Sequence, residues 1–258
     1  MGARIKGIWQ WRHLLHNLVV RDIRLRYGRA LLGPLWLLLN PLLLVLLYTF
    51  VFSLVLKVGI KNYPLFLLSG LLPWLWFAST MSLSVSSLSR DSNLLRKASF
   101  PAELLVLRSV IVAAIDLFVA LFLLLISVSF WGGGISRAIV ALPLLLLLQA
   151  LLMAGLALPL SMLGAVSRDF DHIVANGIRL LFFATPIAYS LDSVPASLRN
   201  LVLLNPMALL MQSYQAVLIG RQLPQVIPMA QLFCGALLIF VIGWSFFYKR
   251  ANLLPEVV

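Results

Sequence analysis

Long apolar runs separated by short polar gaps are the feature that most constrains how this chain folds. A helix needs about 20 mostly apolar residues to cross a bilayer. Windows of that width predict six spans, at residues 34–56, 63–88, 104–130, 138–165, 173–190 and 226–248. Only 11% of the residues are charged, against about 25% in an ordinary soluble domain. The expected fold class is therefore an all-α integral membrane protein, with six transmembrane helices in one domain over residues 1–258.

The basic residues predict how this domain is oriented. Lys and Arg in short loops favour the cytoplasmic side of a membrane. Fourteen of the 20 lie before the first span, between the second and third, or after the fourth and sixth, and five lie on the opposite side. This distribution predicts that both termini are cytoplasmic. It disfavours nucleic-acid binding, which needs basic residues spread over one solvated face.

The segment before the first span, residues 5–29, has helical periodicity. Its apolar residues fall on one face at 100° per residue and its polar residues on the other. We expect an amphipathic helix in the plane of the inner leaflet, with tryptophans as interfacial anchors and arginines toward anionic lipid. The residues assigned to these roles are Trp9, Trp11, Arg21, Arg24 and Arg26. The alternative is a basic flank that only sets topology.

The loop between the second and third spans predicts a short cytosolic helix at residues 91–99. Asp91 or Ser92 is a candidate N-cap, and Pro101 ends the segment. Exposed leucines and two cations on so short a helix are typical of a docking surface, although a structural turn explains them equally well. The candidate docking residues are Asn93, Leu94, Leu95, Arg96 and Lys97.

Residues 191–222, between the fifth and sixth spans, are too apolar for a free loop and too interrupted for a span. Pro195 and Pro206 each suit a helix start, and Asn205 suits the cap of the second segment. Irregular backbone at membrane depth needs protein or a water-filled cavity to satisfy it. We therefore predict a re-entrant helical hairpin in the outer leaflet.

Enzyme chemistry has little support in this sequence. No phosphate-binding loop of the G-x-x-x-x-G-K-[ST] type is present, and the eight carboxylates are scattered rather than clustered at one membrane face. No metal or cofactor is expected in this chain.

Ionisable residues inside spans are functional candidates because they are costly there. Asp116 and Arg179 are a candidate intramembrane polar pair; the alternative is that Arg179 snorkels to the surface and Asp116 is protonated or bonds a nearby serine.

Aromatic side chains lie deep in the spans, away from the headgroup belts where Trp is usually found. Aromatic faces with polar edges suit sugars, which offer C–H faces to rings and hydroxyls to phenols and indoles. The candidate glycan path consists of Trp74, Phe77, Tyr48, Phe52, Phe182 and Tyr189. Packing against lipid is the alternative for each of them.

Short motifs in a fixed order run along the whole chain. They are Arg21-Asp22 with Arg26-Tyr27, Leu32-Gly33 with Trp36 and Pro41, Ser69-Gly70 with Pro73-Trp74, Asn93 to Lys97 with Phe100-Pro101 and Glu103, Arg168-Asp169, Pro186 with Tyr189, and Asn205-Pro206. With these motifs the chain resembles the permease subunits of ATP-binding-cassette exporters for bacterial surface polysaccharides, the class that moves lipid-linked O antigen, capsule and teichoic acid. Residues 28–30 and the tail after Arg250 depart from that pattern.

The resemblance implies a fold, partners and a substrate. Two copies of the chain would form a channel in the bacterial inner membrane, and two separate ATPase subunits, which hold ATP and magnesium, would dock on the cytosolic side. Asn93 to Lys97 would be the coupling helix that receives their motion. A permease of the related drug- or lipid-exporting branch is the second hypothesis. A stand-alone membrane enzyme acting on lipid-linked sugars is the third and has the least support.

Overall fold

A computed structural model describes residues 10–28, 32–55, 57, 59–60, 62–97 and 100–251. Within these ranges every regular element is a helix, which confirms the all-α class. The α-helices are α1 (Arg12–Tyr27), α2 (Trp36–Tyr48), α3 (Tyr63–Val85), α4 (Ser87–Arg90), α5 (Ser92–Lys97), α6 (Glu103–Trp131), α7 (Leu142–Val166), α8 (Asp169–Phe183), α9 (Ala196–Leu203), α10 (Pro206–Leu218) and α11 (Val226–Arg250). A π-helical turn, Thr49–Val55, continues α2.

Four helical segments in the described ranges are long and apolar enough to cross a membrane. They are α3, α6, Arg137–Val166 and α11, which coincide with the second, third, fourth and sixth predicted spans. The pair α9 and α10, bent by 101°, makes a fifth if it is counted as one span. The chain is therefore a multi-pass membrane protein. The first and fifth predicted spans correspond to the shorter helices α2 and α8.

Helix α8 differs at both ends from residues 173–190, the window predicted for the fifth span. Helix α8 begins at Asp169, and its first turn contains Asp169 and Asp171. Their negative charges stabilise the helix, because they lie at the positive end of its dipole. It ends at Phe183, shortly before Pro186. A residue that precedes proline is disfavoured in the helical region, so Thr185 cannot easily continue the helix. A search for apolar windows detects neither the acidic first turn nor the proline.

Helix α3 lies at the centre of the bundle and packs against α6, α7, α8 and α10. Leu67, Leu71 and Met81 of this helix are almost completely buried. The outer helices instead expose large apolar side chains: Phe122 is 65% exposed, Leu147 69% and Val226 82%. Side chains of this kind on the outside of a helical bundle suit a hydrocarbon environment.

Helices α7 and α11 approach each other through glycines. A Cβ atom on Gly243 would lie 1.9 Å from the carbonyl oxygen of Gly155, and one on Gly155 would lie 2.6 Å from the Cα of Phe240. Small residues allow two helices in a membrane to pack backbone against backbone. Glycine at these two positions therefore fixes how closely the last helix lies against the bundle.

The segment predicted as a hairpin contains α9 and α10, which meet at 101°. The side chain of Asn205 accepts a hydrogen bond from the backbone N–H of Met207 at 3.0 Å, so Asn205 caps α10 as predicted. Its amide nitrogen also donates to the hydroxyl of Thr185 at 2.9 Å. The cap thus ties the start of α10 to the turn after α8.

Candidate functional site

Helix α1 packs along α6, with Leu18 and Val19 buried. Trp11 lies just before the helix, 37% exposed, with its ring centroid 6.4 Å from that of Phe100. Trp9 lies outside the described residues. The burial of Leu18 and Val19 means that part of the apolar face of α1 is covered by protein.

The expected partners of the arginines in α1 were anionic lipids, and for two of them the structure shows protein carboxylates instead. Arg21 pairs with Asp91, and Arg26 pairs with Asp116. Arg24 has an exposed side chain. Periodicity along one helix cannot show which carboxylates another helix brings beside it, so these pairs were not predicted, and the contacts with lipid stay a prediction.

Three arginines and two aspartates form a compact group that we call the charge cluster: Arg21, Asp22, Arg90, Asp91 and Arg108. Asp91 accepts hydrogen bonds from Arg21 Nη2 at 2.9 Å and from Arg108 Nη1 at 2.5 Å. Asp22 Oδ2 lies 3.1 Å from Arg108 Nε, an ion pair in which the N–H does not point at the oxygen. The same oxygen lies 3.8 Å from Arg90 Nη2. The cluster joins α1, the α4–α5 junction and α6.

Burial and mutual charge shift the pKa values in this cluster. Burial alone would raise the pKa of Asp91, but hydrogen bonds and charges from Arg108 and Arg21 outweigh it and hold that pKa below 3.8. Burial lowers the pKa of Arg90, helped by the positive charge of Arg108. Burial would also lower the pKa of Arg21, but bonding to Asp91 and Asp22 leaves it raised. Asp91 is thus ionised at neutral pH.

Helix α5 corresponds to the predicted docking segment, whose residues 98 and 99 lie outside the described residues. Asn93 is exposed, whereas Leu94 and Leu95 are half-buried against the core. Both leucines are therefore partly exposed, with the rest of each side chain against the bundle, and their role in docking stays a prediction. Arg96 and Lys97 complete the helix, and their side chains fall outside the described part of the structure.

Asp91 stands immediately before α5, and its carbonyl oxygen accepts from the N–H groups of Leu94 and Leu95. Its carboxylate binds Arg21 and Arg108. The residue expected to start the helix is therefore also the one that connects it to α1 and α6.

The predicted pairing of Asp116 with Arg179 is wrong. Asp116 pairs with Arg26 at 2.5 Å and accepts a hydrogen bond from the hydroxyl of Tyr27 at 3.0 Å. Arg179 donates to Asn176 on its own helix. The carboxylate lies at a cavity of about 130 Å³ that Tyr27 also lines. The end of α1 lies beside Asp116 of α6 and supplies its cationic partner, Arg26. The partner expected from the sequence was Arg179, in the fifth predicted span.

Five of the six predicted glycan-path residues lie in one continuous chain of aromatic rings, which we call the aromatic face. Tyr48 has its ring centroid 6.0 Å from Phe52 and 5.6 Å from Phe182. Trp74 lies 5.7 Å from Phe182 and 5.3 Å from Phe77. The chain of rings therefore crosses from α2 and its π-helical turn to α8 and α3.

These aromatic residues differ in exposure. Trp74 and Phe77 are buried, whereas Tyr48, Phe52 and Phe182 are half-exposed. A cavity of about 230 Å³ opens beside the aromatic face and is lined by Tyr48, Trp74 and Phe182 among others, including Arg179. The structure thus places rings and a cation together at an open surface.

Tyr189, the sixth predicted residue, does not join the chain of rings. Its hydroxyl donates to the carbonyl oxygen of Phe183 at 3.1 Å, which fixes the turn that follows α8. This bond gives Tyr189 a structural role at the end of that helix.

A model of the family described as ABC-2 type transporter matches residues 13–219. The chain belongs to the ABC-2 type transporter family. An O-antigen export system permease protein from Myxococcus xanthus is 34% identical over 256 residues, which cover 98% of each chain. A second such permease, from Klebsiella pneumoniae, is 31% identical over 98% of this chain and 99% of its own. A polysialic acid transport protein from Escherichia coli is 28% identical over 79% of this chain and 80% of its own.

In this ABC-2 type transporter, sequence reasoning missed the charge cluster. Arg90 and Arg108 were counted only as topology signals, and Asp22 and Asp91 only as a motif residue and a cap. One signal was available: Arg108, counted with the loop before the third span, lies four residues inside the window predicted for that span, 104–130. A cation there needs a carboxylate partner close by, and Glu103 and Asp91 are the two nearest carboxylates before it in the sequence.

Proposed function

We propose that this chain is the permease half of an ABC exporter that moves lipid-linked polysaccharide from the cytoplasm across the inner membrane. The observation that carries the proposal is the similarity, along 98% of both chains, to an O-antigen export system permease protein. ATP hydrolysis in a separate ATPase subunit drives the movement. The aromatic face favours this substrate over a drug or a free lipid.

The proposed arrangement has two copies of the chain and two ATPase subunits. Six segments cross the membrane, including α2 with its π-helical turn and the short α8, and both termini are cytoplasmic. Helix α1 lies at the inner leaflet surface, and α9 and α10 form a re-entrant hairpin on the outer side. Helix α5 is the coupling helix, and its exposed Asn93 faces the ATPase.

The physical need for such a route comes from the hydroxyl groups of the glycan. Each hydroxyl moved into hydrocarbon without a hydrogen-bond partner costs about 2–7 kcal/mol, so a polysaccharide requires a wet channel. Aromatic rings can stack on the C–H faces of sugars without tight hydrogen bonds. We infer that Tyr48, Phe52 and Phe182 contact the glycan, and that Trp74 and Phe77 hold those rings in place.

The test is surface display of the glycan in a strain that lacks the chromosomal gene and carries plasmid variants. Phe182→Ala removes a ring that contacts two others in the aromatic face. Phe122→Ala is the matched control, since Phe122 is 65% exposed on the outside of α6. One ring contact is worth about 1 kcal/mol, so we expect Phe182→Ala to lower the export rate about fivefold and Phe122→Ala to leave it unchanged.

Membrane levels of both variants are measured alongside, so that a loss of protein is not mistaken for a loss of transport. Equal export by the two variants would contradict the assigned path. Normal surface glycan in the strain that lacks the gene would contradict the proposed function itself.

A further inference from the structure

Asp91 connects three elements that are far apart in the sequence. It directly precedes α5, its carboxylate accepts from Arg21 of α1 at 2.9 Å, and it accepts from Arg108 of α6 at 2.5 Å. Hydrogen bonds between two charged groups are short, directional and about twice as strong as neutral ones. A displacement of α5 therefore acts directly on α1 and α6 through one side chain.

The two bonds differ in their surroundings. Arg108 is fully buried and Asp91 is 7% exposed, so this bond is shielded from water. Removing Asp91 would take away one of the two carboxylates beside the buried guanidinium of Arg108, which is costly. Arg21 is 41% exposed, so its bond lies at the surface. The bond to Arg21 can therefore be cut by mutation with little effect on the core.

Charge balance alone does not explain why Asp91 lies here. Asp22 already places a carboxylate 3.2 Å from Arg21 and 3.1 Å from Arg108, so both cations have an acidic neighbour without Asp91. Asp22 belongs to α1, however, and in the described part of the structure it pairs with Arg21, Arg90 and Arg108 and not with α5. The second carboxylate supplies the connection to the coupling helix.

We propose that Asp91 is a positioning residue whose bonds to Arg21 and Arg108 make α1, α5 and the cytosolic end of α6 move as one body when an ATPase pushes on α5. The inference rests on the proposed function, since it needs that partner. Without the bond to Arg21, the push still reaches α5, but α1 loses its direct link to Asp91 and follows only through the ion pairs of Asp22 with Arg108 and Arg90. ATP is then hydrolysed without a matching movement of glycan.

The test measures glycan exported per ATP hydrolysed by the purified complex of chain and ATPase in proteoliposomes. Arg21→Gln removes the charge of the exposed partner, and Arg21→Lys retains it. Asn17→Ala is the matched control, one turn earlier on α1 with an exposed side chain. We expect Arg21→Gln to lower the ratio about tenfold, on the scale of one lost hydrogen bond to a charged group. Arg21→Lys and Asn17→Ala should remain near the parent ratio.

A second variant, Asp91→Asn, keeps the shape of the side chain and removes its charge from both bonds. We expect the same fall in the ratio, with ATP hydrolysis retained. The ratio is measured per assembled complex, so a lower yield of Asp91→Asn does not change its reading. A merely structural role would lower the amount of complex or its melting temperature while leaving the ratio unchanged.

An unchanged ratio in Arg21→Gln or Asp91→Asn would overturn the inference, and so would export and hydrolysis that fall in proportion. A chain that recruits no ATPase at all, with the cluster intact, would instead contradict the proposed function. The two failures are therefore distinguishable in one set of preparations.

Discussion

At the scale of single residues, the most informative side chain is Arg108, a cation with no solvent exposure. A buried charge is tolerated only with close partners of opposite charge, and here Asp22 and Asp91 provide them. In the ion pair of Arg26 with Asp116, the two side chains are 30% and 27% exposed. This pair therefore contributes much less to the stability of the fold. Of these two polar groups, the charge cluster therefore contributes more to the stability of the bundle.

The pKa of Asp91 makes this dependence testable by pH. Because its folded-state pKa is below 3.8, the stabilisation from its charge is fully present above the unfolded-state value and is lost as pH falls through the folded-state value. We expect Asp91→Asn to be less stable than the parent by on the order of 3 kcal/mol at neutral pH. Thermal melting in mild detergent at a series of pH values measures the difference.

The gap between parent and Asp91→Asn should stay constant from neutral pH down to about pH 5 and close below pH 3.8. A gap that is the same at pH 3 as at pH 7 would show that the charge of Asp91 does not stabilise the fold.

At the scale of elements, the contact between α7 and α11 involves glycine rather than large side chains. Any side chain at Gly243 would meet the backbone of α7 at Gly155. Overpacking a tight contact typically costs about 1–3 kcal/mol, so Gly243→Val should reduce stability by that amount. Gly235→Val is the control on the same helix, because a Cβ there has nothing within 4 Å.

Thermal melting and recovery in detergent measure both variants. Equal melting temperatures for Gly243→Val and Gly235→Val would show that α11 can move away from α7 without cost, contrary to this account.

The sequence predicts a helix well where the helix has a long apolar run or clear start residues, and poorly where its position depends on other features. Helices α3, α6 and α11 are predicted because their apolar runs are long, and α10 because Asn205 and Pro206 mark its start. Helix α8 was misplaced because an apolar window cannot register acidic residues in a first turn. The partner of Asp116 was misassigned because the sequence does not show how far α1 reaches along α6. The aromatic face was predicted as a set of residues, but the ring contacts that order it depend on tertiary packing.

At the scale of the whole molecule, the charge cluster and the aromatic face lie on helices that pack against each other. The charge cluster joins α1, α5 and α6, and the aromatic face joins α2, α3 and α8, with α3 packed against α6. In the proposed exporter, force enters through α5 and the glycan passes along the aromatic face. The central claim is therefore that this chain moves lipid-linked glycan only when a separate ATPase hydrolyses ATP.

The most direct measurement places the chain and its ATPase in liposomes loaded with lipid-linked glycan on the ATPase side. Glycan on the opposite face is followed by its accessibility to an added glycan-cleaving enzyme. We predict that accessibility rises with ATP and magnesium, and stays at background with a non-hydrolysable analogue or without this chain. Accessibility that stays at background while ATP is hydrolysed at the full rate would contradict the account, as would glycan movement that needs no ATP.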